Sequence, residues 1–183
     1  MLPWLPILRR ALEAEYADRP RIATLATIDL DRQPRARTVI LRRIDDDGTL
    51  WIASDGHSDK NAHLRHTADA ELVFYLPTSR EQFRIFGRCR VIGRGDDERV
   101  RQQFWQSLSD PARAMFFWPT IEQPVTENQT IPTAIPYTTP MPVNFELIAL
   151  RPDQVEHLSI AVIPHRRTRY CKFAAWTPES INP

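Results

Sequence analysis

Short runs of β-forming residues follow one another from residue 22 onward, with turn-forming residues between most of them. The runs are residues 22–28, 35–44, 49–53, 71–76 and 81–92. The separators at 29–34, 45–48 and 77–79 are rich in Asp, Pro, Gly and Ser, which favour turns. Parallel strands need crossovers of a dozen or more residues, and these separators are too short to provide them. The sequence therefore predicts a mainly β fold with flanking helices, in which the strands form an antiparallel sheet or barrel.

Three helices are predicted beside the strands. Residues 4–17 place Trp4, Leu8 and Leu12 on one face at helical spacing, which indicates an amphipathic helix lying against the barrel. Residues 58–66 and 96–107 are the other two, and the second directs Phe104 and Leu108 toward the core.

The second half of the chain contains a proline-rich loop at about 119–142. Proline lacks the N–H that a strand ladder needs, so this segment is expected to be irregular. It is interpreted as a stiff surface loop, with a lid over a site or an arm across a partner subunit as alternatives. Strands resume at 143–150 and at 168–174, where Tyr170 and Phe173 are predicted to pack inward.

Length, charge and cysteine content restrict the class of protein. The 183 residues predict a single domain, 1–183, and a net charge of +1 provides no extended field for nucleic acid or an anionic membrane. The chain has no apolar run of about eighteen residues and no export signal in its first residues, so no membrane association is expected. Cys89 and Cys171 are too far apart for a CxxC site, and a reducing cytoplasm is the expected location.

Two segments could bind an anion. Arginines 35, 37, 42 and 43 flank Val39 on one strand, and strand alternation places Arg35, Arg37 and Arg43 on one face and Arg42 on the other. A solvated strand face with ordinary ion pairs is the alternative. Residues 54–60 end a strand and open a helix, so they could present N–H groups, the Ser58 hydroxyl and the Lys60 ammonium to a phosphate. His57, His63 and His66 lack an acidic ligand pattern, so no metal site is expected.

The order of these motifs resembles the pyridoxamine 5′-phosphate oxidase family of FMN-binding split barrels. The resemblance rests on the strand 37–42 (Arg-Thr-Val-Ile-Leu-Arg), the Ser-x-Lys loop at 58–60, the strand opening at 80–87, the segment 142–147, and Arg169-Tyr170 followed by Trp176. It covers most of residues 20–178 and implies an antiparallel split β-barrel that binds FMN at the interface of a homodimer. The implied cofactor-binding residues are Arg37, Thr38, Val39, Ile40, Leu41, Arg42, Ala53, Ser54, Ser58, Lys60, Gln82 and Arg169.

The departures from the family pattern concern mainly the substrate half of the site. Asp59 stands where the authentic oxidases have an arginine, and His165 opens the segment that holds the substrate phosphate in those enzymes. Arg166 and Arg167 are the candidates to replace the missing phosphate ligands. The resemblance therefore implies an FMN-dependent oxidoreductase for an unidentified small molecule, with unknown catalytic residues. An authentic pyridoxamine or pyridoxine 5′-phosphate oxidase, or a flavin- or haem-binding carrier or sensor without turnover, are the alternatives.

Overall fold

The computed structural model describes residues 2–119 and 130–183. Residues 120–129, within the predicted proline-rich loop, lie outside the described residues. The described strands are β1 (Arg21–Ile28), β2 (Pro34–Ile44), β3 (Leu50–Asp55), β4 (Asp69–Leu76), β5 (Glu81–Ile92), β6 (Phe145–Ser159), β7 (Arg166–Cys171) and β8 (Pro178–Ile181). The described helices are α1 (Trp4–Tyr16), α2 (Asp59–His66), α3 (Glu98–Ser107) and α4 (Asp110–Ala114).

Six of the strands close into a barrel. They follow the order β3-β2-β1-β4-β5-β6, every pairing is antiparallel, and β6 pairs with β3 to complete the ring. β7 and β8 extend the sheet outward from β6. The predicted antiparallel split barrel is therefore confirmed, and the tight turns of the sequence are the connections between neighbouring strands of the first five.

Strand β6 belongs to both the barrel and its extension. Its first half pairs with β3 from Phe145 to Leu150, and its second half pairs with β7 from Gln154 to Ser159. Sequence analysis predicted a strand at 143–150, whereas the observed strand continues past Pro152 to Ser159. The proline is tolerated because the β5–β6 register shifts opposite it, at Gly87, where an added Cβ would lie 2.1 Å from the Arg151 carbonyl oxygen.

The barrel interior is filled by inward-facing aliphatic and aromatic side chains. Leu25, Leu72 and Phe83 come from three different strands and are completely buried. Helix α1 adds its apolar face to the same cluster, with Leu8 and Leu12 fully covered. Burial of each such side chain contributes about 2 kcal/mol, so the helix is held by packing rather than by its intrinsic propensity.

A second apolar cluster lies outside the barrel, where α3 covers β3 and β6. Phe104 and Trp105 of the helix pack there against Trp51 and Phe145. Arg43 also joins this side, because its guanidinium lies 4.4 Å from the centre of the Phe104 ring. The predicted face of Arg43 is therefore wrong: the β2–β3 register shifts just after Leu41, and the irregularity turns Arg43 outward.

The C-terminal segment differs from its prediction in two respects. β7 ends at Cys171, and residues 172–174 form a 3₁₀ turn instead of continuing the strand. Tyr170 is buried as predicted, but the turn leaves the Phe173 side chain 95% exposed, so its predicted inward packing is wrong. Helix α4 and strand β8 are short elements that the sequence analysis missed.

Candidate functional site

A mainly apolar cavity of about 420 Å³, here called the ring cavity, opens where β2 and β3 face α4. Its strand side is lined by Thr38, Val39, Ile40, Arg42, Ala53, Ser54, Asp55 and Lys60. Its helical side is lined by Ala112, Met115, Phe116, Trp118 and Pro119. This volume is within the range of protein sites that hold a cofactor or a drug-sized ligand.

Strand alternation decides which residues of β2 reach the ring cavity. Thr38, Ile40 and Arg42 point out of the barrel into the cavity. Leu41 lies on the opposite face, is 3% exposed and packs in the barrel core, so its side chain does not line the cavity. Of the six predicted cofactor-binding residues on this strand, Leu41 alone lines neither the ring cavity nor the cleft beside it.

Arg42 is the most unusual polar group in the ring cavity. Burial lowers the pKa of its guanidinium from the ordinary arginine value. Its Nε atom is buried and has no hydrogen-bond partner among the described residues. A buried donor without a partner costs about 1–3 kcal/mol, so this atom favours a ligand that brings an acceptor into the cavity.

A second depression, here called the cationic cleft, borders the ring cavity at Lys60 and has a volume of about 510 Å³. It is lined by Asp29, Arg35, Ala36, Arg37, Ser58, Asp59, Lys60 and His63. Lys60 belongs to both depressions, so a single elongated ligand could occupy them together. Asp29 is already paired with Arg35 at 2.7 Å, which leaves Arg37 and Lys60 as the available cations.

Lys60 and Arg37 are two positive groups that repel each other. Burial and then the charge of Arg37 lower the pKa of the Lys60 ammonium, while Asp55 and Asp59 oppose the shift. Its Nζ donates to Ser58 Oγ at 2.6 Å. No carboxylate within the described ranges forms an ion pair with either cation. An anion in the cleft would relieve this repulsion.

Arg37 is held in place by hydrogen bonds to the neighbouring strand β1. Its Nη1 donates to Thr27 Oγ1 at 2.6 Å and to the carbonyl oxygen of Leu25 at 3.1 Å. Burial lowers the pKa of this guanidinium, and the charge of Asp59 partly offsets that effect. The neighbouring strand thus orients Arg37, and Asp59 places a negative charge close to it.

The other predicted site residues lie elsewhere. Gln82 is on β5, which is separated from β2 by β1 and β4, a distance of about 14 Å along the sheet. Arg166, Arg167 and Arg169 are on β7, which is separated from β2 by β3 and β6. Within one chain, none of these four lines the ring cavity or the cationic cleft.

Two of the β7 arginines converge on a carboxylate. Arg167 donates to Glu156 Oε2, and Arg169 donates to Glu156 Oε1 at 3.2 Å. Burial alone would raise the pKa of Glu156, but these arginines outweigh it and the pKa lies below its usual value. Arg166 is exposed, so it is the more available of the two candidate substrate ligands.

A buried polar network behind the ring cavity was missed by the sequence analysis. Ser54 Oγ lies 2.6 Å from Asn61 Oδ1, and Asn61 Nδ2 donates to Glu146 Oε2 at 2.6 Å. Arg65 pairs with the same carboxylate at 2.6 Å. Asn61 and Glu146 are 85 residues apart in sequence, so no local pattern could have indicated their contact.

The described ranges contain no group of three His, Cys, Asp or Glu side chains placed to hold a metal ion. No helix among the described residues is long and apolar enough to cross a membrane. Cys89 and Cys171 are both free, and burial raises the pKa of Cys89 to about 12, so this thiol is not a candidate nucleophile.

Residues 1–93 match the family described as "Pyridoxamine 5′-phosphate oxidase, FMN-binding domain". A relative along the full length is "Pyridoxine/pyridoxamine 5′-phosphate oxidase 2" of Arabidopsis thaliana, which is 29% identical over 99% of this chain and 97% of its own. A shorter match to "Pyridoxine/pyridoxamine 5′-phosphate oxidase" of Chromohalobacter salexigens is 42% identical over 36% of this chain and 30% of that protein.

Solved structures agree with this assignment. A pyridoxamine 5′-phosphate oxidase-related, FMN-binding protein from Nostoc punctiforme superposes with a TM-score of 0.91 and 31% identity, covering 100% of this chain and 99% of the other. PhzG from Burkholderia lata, solved in complex with tetrahydrophenazine-1-carboxylic acid, has a TM-score of 0.82 and 21% identity over 100% of this chain and 94% of its own. At that identity, the second likeness concerns the fold alone.

Proposed function

The chain belongs to the FMN-binding pyridoxamine 5′-phosphate oxidase family, and from this premise we propose that it is an FMN-dependent oxidoreductase acting on a small organic molecule. The observation that carries the proposal is the join between the ring cavity and the cationic cleft at Lys60. An apolar chamber that borders a positive one is complementary to a flavin, whose apolar ring is joined to a negative phosphate tail.

The cationic cleft would hold the phosphate. Arg37 and Lys60 have no carboxylate partner in the described part of the chain. A phosphate ester with nearly two negative charges would be an anionic partner for both. Ser58 precedes α2, whose N-terminal N–H groups would add to the binding. Asp59 opposes this attraction, so we expect phosphate binding to be weaker than an arginine at position 59 would give.

The ring cavity would hold the isoalloxazine ring. Thr38 and Ile40 offer it one wall and Phe116 and Trp118 another, while the unpartnered Nε of Arg42 would donate to an acceptor on the ring. Bound FMN would supply the redox chemistry, because a flavin accepts a hydride or two electrons. The protein would contribute orientation, exclusion of water and a fixed positive charge.

The helical wall of the ring cavity is tied to the strand wall by one amide. Asn144 Nδ2 donates to Asp55 Oδ2 at 2.9 Å and to the carbonyl oxygen of Phe116 at 3.0 Å. These two hydrogen bonds join the strand wall to the helical wall and would fix the width of the cavity. They would therefore hold the aromatic wall at a constant distance from the ring and keep water out.

We further propose that the working form is a cytoplasmic homodimer with FMN at the subunit interface. Gln82 and Arg169 would then reach the flavin of the second subunit. The outer face of the sheet that carries Gln82 also exposes Ile22 and Tyr75, which are 49% and 54% accessible. Large apolar side chains side by side on a strand face favour burial against a partner, and two free cysteines fit a reducing compartment.

The visible spectrum of the purified protein tests the proposal directly. We expect flavin absorbance, and chromatography of the released cofactor should identify FMN. A protein that carries no flavin and takes up no added FMN would refute it. Reduction of the bound flavin by candidate donors under anaerobic conditions would then identify the substrate class.

The full-length relative from Arabidopsis favours one second candidate, oxidation of pyridoxamine or pyridoxine 5′-phosphate. In that case Arg166 and Arg167 would bind the substrate phosphate in place of the missing family residues. Formation of pyridoxal phosphate is the direct assay. The double variant Arg166→Ala/Arg167→Ala should lose this turnover while retaining FMN, and unchanged turnover would exclude these arginines as phosphate ligands.

A further inference from the structure

Ser54 lies near the end of β3 and Ser58 directly precedes α2, and their hydroxyl groups have opposite hydrogen-bonding roles. Lys60 Nζ donates to Ser58 Oγ at 2.6 Å. An ammonium group only donates, so Ser58 must accept there and its own hydrogen stays available. Ser58 is therefore a donor toward the cationic cleft, as a phosphate oxygen requires.

The role of Ser54 is set by a carboxylate two residues removed in the network. Glu146 Oε2 can only accept, so the Asn61 side chain must direct its Nδ2 toward it, at 2.6 Å. Asn61 Oδ1 is thereby turned toward Ser54, also at 2.6 Å. Two acceptors cannot bond each other, so the Ser54 hydroxyl hydrogen points at Asn61. The alternative acceptor, the Asp55 carbonyl oxygen, is more distant at 3.4 Å.

Burial prevents this arrangement from relaxing. Asn61 is 0% and Ser54 2% exposed, so the hydrogen bond between them is shielded from bulk water. Arg65 donates to both oxygens of Glu146 and keeps the carboxylate in position. Reversing the Asn61 amide would place its oxygen against the carboxylate, which is strongly unfavourable in a buried site. The Ser54 hydroxyl therefore has only lone pairs left for a further hydrogen bond, and Ser54 is one of the residues that line the ring cavity.

We propose that Ser54 accepts a hydrogen bond from a donor on the flavin other than its phosphate, and that Glu146 is the positioning residue that imposes this role through Asn61. The inference rests on the proposed binding of FMN in the ring cavity. Oxidised FMN carries two kinds of such donor, the N3–H of its ring and the hydroxyl groups of its ribityl chain. Ser54 would thus select the flavin portion of the cofactor, and Ser58 its phosphate.

The test compares three flavins on the cofactor-free protein by fluorescence titration: FMN, riboflavin without the phosphate, and lumiflavin without the ribityl chain as well. Ser54→Ala should weaken the binding of FMN and of riboflavin equally, by about fivefold to tenfold for the loss of one hydrogen bond. Ser58→Ala is the matched control and should weaken FMN alone. An equal loss with lumiflavin would identify N3–H as the donor, whereas unchanged lumiflavin binding would identify a ribityl hydroxyl.

The positioning role is tested with Glu146→Gln, whose amide can donate to Asn61 and release the constraint. We expect Glu146→Gln to weaken riboflavin binding as Ser54→Ala does. The double variant Ser54→Ala/Glu146→Gln should bind riboflavin no more weakly than either single variant. In FMN labelled with ¹⁵N and ¹³C, the bound N3 or ribityl signals should change in both variants. If Glu146→Gln does not fold, the same signals in Ser54→Ala decide the acceptor role alone.

Two results would overturn the inference. The first is a Ser54→Ala variant that loses FMN affinity but not riboflavin affinity, because Ser54 would then donate to the phosphate. The second is a change at the C2 or C4 carbonyl carbons of the bound flavin while its N3 and ribityl signals stay unchanged, which would show a donating hydroxyl. Failure of the wild-type protein to bind any flavin is a different result, and it would refute the proposed function itself.

Discussion

Replacement of Lys60 by methionine should weaken FMN binding and stabilise the cofactor-free protein at the same time. Methionine keeps the length of the side chain and removes its charge. Lys60 would give the phosphate one charge-assisted hydrogen bond, which contributes about 1.5–3 kcal/mol. The Kd for FMN should therefore rise by about 10- to 150-fold, while the Kd for riboflavin stays unchanged.

The opposite effect on stability follows from the surroundings of Lys60. Burial and the nearby Arg37 lower its pKa in the folded protein, so the folded state binds this proton less tightly than the unfolded chain. The free energy of unfolding should thus increase with pH between the folded and the unfolded pKa of Lys60, and below that interval the charge is a cost. Lys60→Met should remove both the cost and the alkaline increase.

Fluorescence titration and urea unfolding between neutral and alkaline pH measure the two effects. Lys172→Met is the control, because Lys172 is the only other lysine and is an exposed partner of Asp153 at 2.9 Å. It should change neither flavin affinity nor the alkaline profile. Equal losses of FMN and riboflavin affinity in Lys60→Met would refute the placement of the phosphate beside Lys60. A less stable cofactor-free protein at neutral pH would refute the cost that we assign to its buried charge.

Three further predictions concern the rest of the molecule. Glu156→Gln should lower the free energy of unfolding by about 2 kcal/mol at neutral pH, because the arginines of β7 lose their carboxylate. The wild-type advantage is present above the unfolded pKa of Glu156 and lost as pH falls through its lower folded pKa, so unfolding curves that remain parallel down to strongly acidic pH would contradict this. Tyr75→Arg on the exposed sheet face should yield monomers with weakened FMN retention in size-exclusion chromatography, and an intact flavin-loaded dimer would argue against this face as the interface. Leu12→Ala should cost about 2–5 kcal/mol of stability in urea unfolding, since Leu12 is completely buried in the barrel core, whereas a loss below 1 kcal/mol would indicate that α1 detaches without unfolding the barrel.

The local features of the fold could be predicted from the sequence. The first five strands and the first three helices begin and end within two residues of their predicted limits, because each is bounded by turn or cap residues. Glu98, the observed start of α3, directly follows Asp97, whose carboxylate caps Val100 N–H at 3.1 Å. Such signals depend on near neighbours in the chain, which is why they are visible in a sequence.

The features that escaped prediction depend on distant segments. Strand β6 continues past Pro152 only because Gly87 lets β5 shift register beside it. Arg43 changes face because of an irregularity in pairing with β3. The roles of Arg37, Ser58 and Lys60 in cofactor binding remain predictions, and their common placement in one cleft adds a geometry that the sequence alone could not supply.

Strand β6 also sets the distance between two groups of polar residues. Glu146, which accepts a hydrogen bond from Asn61, and Glu156, which pairs with the β7 arginines, are ten residues apart on this one strand. That spacing corresponds to roughly 30 Å of rigid backbone, longer than a flavin ring can bridge. In the proposed homodimer, each chain would therefore carry two separate half-sites at a fixed interval. In a two-fold dimer, the half-site at Glu146 of one chain would have to meet the half-site at Glu156 of its partner, so the interval between them constrains the pairing. We expect a two-residue insertion in β6 at the register shift to misalign both sites of the dimer.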